Sequence, residues 1–197
     1  MLAIQYKSSF SVRKLVLITV IIAAVCAGIY IAALFLSPAI AQRFYIKPIT
    51  VSTLDKPTAS SSRLIVPKLG VNVTYAANPG SLEQNAQWRN STQGNPEDGG
   101  TMLLAAHRLS VQSTPQQTVL HSPFYSLGTL AKGDKIIIDY KGTRYGYEVT
   151  SAHSGAVSDT PIPTDFSSTQ LVLYTFDSDD DATRVVVYAK PLGKVAV

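Results

Sequence analysis

Leu15–Leu36 is a run of 22 residues without a charge, and no other feature limits what this chain can fold into so strongly. An apolar stretch of about 20 residues is long enough to cross the hydrocarbon core of a bilayer as a helix. Lys7, Arg13 and Lys14 stand close before it, whereas Arg43 and Lys47 follow at a greater distance. That asymmetry predicts a cytoplasmic N-terminus and an exported remainder. Ala39-Ile40-Ala41 is a small-x-small site, so a cleaved signal peptide is the competing reading. The apolar run is long for a signal peptide, which favours an uncleaved anchor. The expected layout is a cytoplasmic segment at 1–14, a transmembrane anchor at 15–36, a linker at 37–62 and one folded domain at 63–197. The protein would then be a single-pass protein of the cell membrane.

The charge supports this division. The net charge of +4 invites a nucleic-acid reading, but six basic residues and one acidic residue precede Arg63, whereas eleven basic and twelve acidic residues occupy the rest. The basicity belongs to the N-terminal part, and no basic stripe with interleaved aromatics follows, so no nucleic-acid partner is expected. Cys26, the single cysteine, lies inside the apolar run. Intrachain disulfides and cysteine-rich zinc sites are therefore excluded.

From Arg63 onward the pattern is one of short strands. Leu64–Val66 and Val71–Tyr75 flank a turn at Pro67-Lys68-Leu69-Gly70, and Thr101–Ala106 is a compact apolar run. Lys135–Tyr140 and Thr143–Val157 pair as a hairpin across Lys141-Gly142. Leu171–Thr175 and Val185–Ala189 flank the acidic turn Asp177–Asp181 and predict a second hairpin, with Arg184 at the start of its return strand. A short pairing segment is expected at Tyr45–Val51. Two helical stretches are predicted, at Leu82–Arg89 after the cap-like Ser81 and at Pro123–Leu130. Regular short strands between turn signals argue for an all-β sandwich or barrel.

Four stretches, in order, carry a resemblance to a known family. They are Arg63–Val71 with its Val-Pro-Lys-Leu-Gly core, Gly99–Arg108 ending in Ala106-His107-Arg108, Ser122–Lys135 with Phe124-Tyr125 and Gly133-Asp134, and the hairpin at 171–190. Together they resemble the sortases, membrane-anchored cysteine transpeptidases. The resemblance implies a closed β-barrel of about eight strands with one or two short helices behind a single transmembrane helix. It also implies a thioacyl mechanism that cuts a Leu-Pro-x-Thr-like sorting signal and passes the acyl group to an amine of the cell envelope. His107 would take the acid/base role and Arg184 would stabilise the oxyanion or hold substrate. Thr175 and Arg108 would touch the substrate peptide, and no cofactor or metal is called for. An Arg suits that place because it stays charged and donates several hydrogen bonds in a fixed fork.

The departure from the family lies at position 176, where a Cys is expected and Phe176 stands. A phenyl ring has no nucleophilic lone pair and no acidic proton, so thioacyl chemistry is lost at that position. The expected function is that of a degenerate sortase which binds or regulates at the cell surface. Two rivals stand beside it: a transpeptidase or peptidase using Ser178 or Thr175, or a sortase recently disabled at position 176; and a purely structural surface module. His121 and His153 read as structural. The aspartates at 177 and 179–181 read as a solvated turn, since no Glu follows at calcium-loop spacing. Tyr140, Tyr145, Tyr147 and Tyr188 read as sheet-packing residues.

Overall fold

A computed structural model describes residues 12–83, 85–176 and 183–195 of the chain. It begins with one long helix, α1 (Val12–Phe44), which is apolar and long enough to cross a membrane. The helix runs eight residues past the end of the charge-free apolar run, through Pro38, where the linker was expected to have begun. Proline removes the amide that would bond the carbonyl four residues back. Here the Ser37 hydroxyl donates to that carbonyl, on Leu34, at 3.0 Å, so no acceptor is orphaned.

Eight strands follow: β1 (Ser62–Val66), β2 (Val71–Ala76), β3 (Ala86–Trp88), β4 (Thr101–His107), β5 (Lys135–Tyr140), β6 (Thr143–Ala156), β7 (Gln170–Phe176) and β8 (Thr183–Lys194). They close into a barrel in the order β1-β2-β3-β4-β7-β8-β6-β5. Most neighbours are antiparallel; β2–β3 and β4–β7 are parallel. The β5–β6 turn is the two-residue hairpin expected, with positive φ at both Lys141 and Gly142, as the right-handed twist of the strands requires. Gly70 closes the turn after Pro67–Leu69 with φ 65, and a Cβ there would meet the Ile46 side chain at 2.4 Å. The interior is filled by the alternate residues of each strand, among them Leu64, Met102, Leu104, Ile136, Leu171 and Val187. Tyr145 and Tyr147 are buried in it as sheet-packing residues, and Tyr140 packs against it.

Three local expectations fail. Residues 82–89 form no helix: a 3-10 turn at Pro79–Glu83 leads into β3, which is held between β2 and β4. Residues 123–130 make only turns, with a 3-10 turn at Leu127–Thr129. Tyr45–Val51 pairs with no strand, although the Ile49 amide donates to the Pro67 carbonyl at 2.9 Å. In their place a short helix, α2 (Pro115–Leu120), begins at Thr114, whose side chain caps the Gln117 amide. Its start carries the ordinary Thr-Pro signature of a capped helix.

One buried ionic cluster ties β1, β5 and β6 to the incoming chain. Asp139 is fully buried between Arg63 and Arg144: Arg63 donates to Oδ2 at 2.8 Å, and Arg144 donates to Oδ1 at 2.7 Å. Both guanidinium groups also donate to the Asp55 carbonyl. A buried charge that loses its partners is costly, because desolvation is no longer offset. Asp139→Ala is expected to lower stability by about 3–5 kcal/mol in denaturant unfolding. Lys141→Ala, which removes a surface pair with Glu97 at 3.5 Å, is expected to leave the midpoint unchanged.

Glu148 on β6 gives a pH signature. Hydrogen bonds from Lys135 and Lys190, strengthened by their charges, hold its carboxyl at about 2 instead of 4.5. The folded value lies below the unfolded one, so this contribution is complete above pH 4.5 and is lost as pH falls towards 2. The carboxylate is exposed, and salt weakens the effect. Unfolding temperature measured from pH 5 to pH 2 at low ionic strength should fall less steeply in Glu148→Gln than in the parent.

Candidate functional site

The barrel wall formed by β4, β7 and β8 carries a second apolar cluster on its outer side. Leu103 and Ala105 of β4, Val172 and Tyr174 of β7, and Val186 of β8 form it, with Ile162, Phe166 and Tyr188 packed at its edge. These residues alternate with those that fill the interior, so one sheet buries both faces locally. His107 continues the alternation of Leu103 and Ala105 and ends β4 at the rim of this face. It is 8 % exposed, and its carbonyl accepts from the Phe124 amide at 3.1 Å.

The parallel β4–β7 register runs unbroken from Thr101↔Gln170 to His107↔Phe176. Parallel neighbours end together, so the last residue of each strand lies beside the other's. The antiparallel β7–β8 ladder pairs Tyr174 with Val186, and its next rung is made by a side chain: the Val185 amide donates to Thr175 Oγ1 at 2.9 Å. Arg184, at the start of β8, therefore comes to the same end of the sheet as His107. Its guanidinium lies 5.8 Å from the centre of the Tyr174 ring, a cation–π arrangement. Burial raises the Tyr174 hydroxyl above its ordinary value of 10, and the charges of Arg89 and Arg184 partly offset this. Arg108 reaches across to β8, where its Nη1 donates to Thr183 Oγ1 at 3.2 Å.

Of the residues singled out from sequence, His107, Arg108 and Arg184 thus gather at one end of the sheet, together with backbone position 176. Thr175 faces the other way: it is buried, and its hydroxyl is engaged by Val185. Ser178 and the aspartates at 177 and 179–181 lie outside the described residues. His121 caps the C-terminus of α2, and His153 stacks edge-on against Tyr188 at 6.1 Å. Among the described residues no three His, Cys, Asp or Glu side chains converge as metal ligands. Two site residues escaped sequence reasoning. Tyr174 was hidden because a strand tyrosine reads as packing, although its place two residues before 176 was a usable signal. Arg89, which hydrogen-bonds Tyr174, sits in a segment read as helix and carried no signal.

Beside the cluster, His153, Asp159, Thr160, Pro161, Val186 and Tyr188 line a hollow of about 300 Å³. It extends the outer face along β6 and β8. A larger cavity, of about 620 Å³, lies elsewhere, between α1 and α2.

A closed eight-stranded barrel behind one long apolar helix defines a class, and the comparisons agree with it. The sortase domain family matches residues 64–192. The chain belongs to the sortase family. Similar solved structures include a sortase C of Streptococcus pneumoniae (16 % identity, 84 % of this chain and 92 % of that one, TM-score 0.53). A Clostridium perfringens sortase D5 transpeptidase aligns at 20 % identity over 68 % of this chain and 79 % of that one, with TM-score 0.51. Listeria monocytogenes sortase A aligns at 22 % identity over 72 % and 92 %, with TM-score 0.50. At these identities the structures establish the fold alone. No curated protein sequence matches the chain.

The Thr175 hydroxyl completes the sheet where the ladder stops. Thr175→Val keeps the shape but leaves the buried Val185 amide without its acceptor, which should cost about 1–3 kcal/mol in chemical unfolding.

Proposed function

We propose that this protein is a degenerate sortase that holds an extended sorting-signal-like peptide without cutting it. One observation carries the reading: the strand partner of His107 is position 176, and the residue there is Phe. In this reading His107 and Arg184 keep the places of the family's acid/base and anion-stabilising groups, and position 176 is that of the nucleophile. The acid/base and the cation remain; the group that would attack the scissile carbonyl does not. A phenylalanine offers neither a thiolate nor a hydroxyl, so no acyl-enzyme forms at 176.

The rim at His107, the Arg184–Tyr174 pair and the adjacent hollow are suited to an extended peptide with small apolar side chains and one polar end. A serine or threonine mechanism finds no support in Thr175, whose hydroxyl is buried and bonded to Val185. The protein acts at the cell surface, held by α1 as a membrane span with its N-terminus in the cytoplasm. Charge asymmetry around the apolar run supports that orientation.

Incubating the full chain in detergent with a fluorogenic library of Leu-Pro-x-Thr-like peptides tests the reading. The parent is expected to release no product, and Phe176→Cys is expected to cleave, with the activity removed again by His107→Ala. Turnover by the parent would overturn the non-catalytic reading. Silence in both, with the fold intact, would leave only a structural module.

A further inference from the structure

Leu109–Ala131 is a second stretch without a single Lys, Arg, Asp or Glu, and it directly follows the site strand β4. It contains α2, and α2 packs against the C-terminal part of α1. The Tyr30 hydroxyl donates to the Ser113 carbonyl. Tyr30 lies six residues before Leu36, the end of the apolar run, or about 9 Å along a helix axis. Wherever α1 crosses a bilayer, residue 113 is carried down to that depth beside it.

The segment is built for such a place. Three of its backbone amides are bonded to side chains within the segment. The Ser110 amide donates to Ser122 Oγ at 3.0 Å, the Gln112 amide to Thr118 Oγ1 at 2.9 Å and the Gln117 amide to Thr114 Oγ1 at 3.3 Å. The Thr118 and Ser122 side chains are themselves buried. Burial calls for such partners in any setting, and lipid, which offers no hydrogen bonds, makes the demand strictest. The segment's exposed face mixes Ser113, Gln116 and Gln117 with two large apolar side chains, Val111 at 40 % and Leu120 at 68 % exposure. The 620 Å³ crevice between the two helices, lined by Ala33, Ile40, Val119 and Leu120 among others, continues this surface onto α1. Arg43 and Lys47, exposed just beyond, stand where a headgroup region would begin.

We infer that the α2 segment dips into the leaflet on the barrel side, with lipid acyl chains covering Val111 and Leu120 and entering the crevice. The inference rests on reading α1 as a membrane span. It makes the attachment two-legged and sets the His107 end of the sheet a few residues from the lipid surface. Gln42, which donates to the Leu69 carbonyl at 3.3 Å, and Gly70, which admits Ile46, fix the other side of α1 to the barrel.

Nitroxide labels on the full chain, in a Cys26→Ala background and reconstituted into phosphatidylcholine–phosphatidylglycerol vesicles, test this. Labels at Leu120→Cys and Val111→Cys are expected to be relaxed by oxygen and shielded from a water-soluble nickel chelate. A label at Leu192→Cys on the barrel should show the reverse. A label at Ile22→Cys reports the span separately. Lipid exposure at 22 with nickel access at 111 and 120 would overturn the inference and leave the span standing. Nickel access at all four sites would overturn both. Shielding of 111 and 120 from both reagents would mean a protein neighbour in place of lipid, and would also overturn it.

Discussion

Everything at the candidate site depends on the parallel pairing of β4 with β7. The two strands are separated in sequence by α2, β5 and β6, so their contact closes the barrel through a long crossover. Closing it orders many residues before the pairing contributes anything, so the wall must bury apolar area on both faces. Leu171 and Leu173 face the interior, while Val172 and Tyr174 face the outer cluster. In-register parallel strands end side by side, and that alone sets His107 beside position 176. The antiparallel return of β8 then adds Arg184. Three positions far apart in sequence come to one end of the sheet because of these two registers.

Much of this was legible in the sequence. Alternating apolar runs with Gly-containing turns marked β1, β2, β4, β5, β6 and the β7–β8 hairpin, because each of those strands makes a two-sided or hairpin contact its own residues specify. The misreadings fall where distant partners decide. Ala86–Trp88 has helix-compatible residues and a cap-like Ser81, yet it is a strand because β2 and β4 present ladders on either side of it. Ser37-Pro38 looked like the end of a helix, but the hydroxyl of Ser37 bonds the carbonyl that Pro38 leaves free, and both residues are buried. The reversal of Thr175, from substrate contact to ladder substitute, followed from strand alternation and was foreseeable. The Asp139 cluster was not, since nothing in the sequence links Asp55, Arg63, Asp139 and Arg144 before the barrel closes.

In the proposed reading, His107 and Arg184 keep the electrostatic part of an acyl-transfer centre in a form that binding alone can use. Arg184 over the Tyr174 ring is a cation partly withdrawn from water, where a hydrogen bond to a peptide carbonyl or carboxylate would gain in strength. His107, buried at the strand end, is a polar group placed against an apolar wall. In the proposed reading this rim would discriminate between peptides by shape and by the position of one polar end, with or without a nucleophile. With Phe at 176, the proposed reading turns on affinity in place of rate.

The most direct test is therefore a binding measurement. Fluorescence anisotropy of a labelled Leu-Pro-x-Thr-Gly peptide would be followed against the full chain in detergent and against Arg184→Ala. The account predicts saturable binding by the parent, a marked weakening in Arg184→Ala, and peptide recovered uncut afterwards. Equal affinity of the two proteins, or no saturable binding by either, would contradict it.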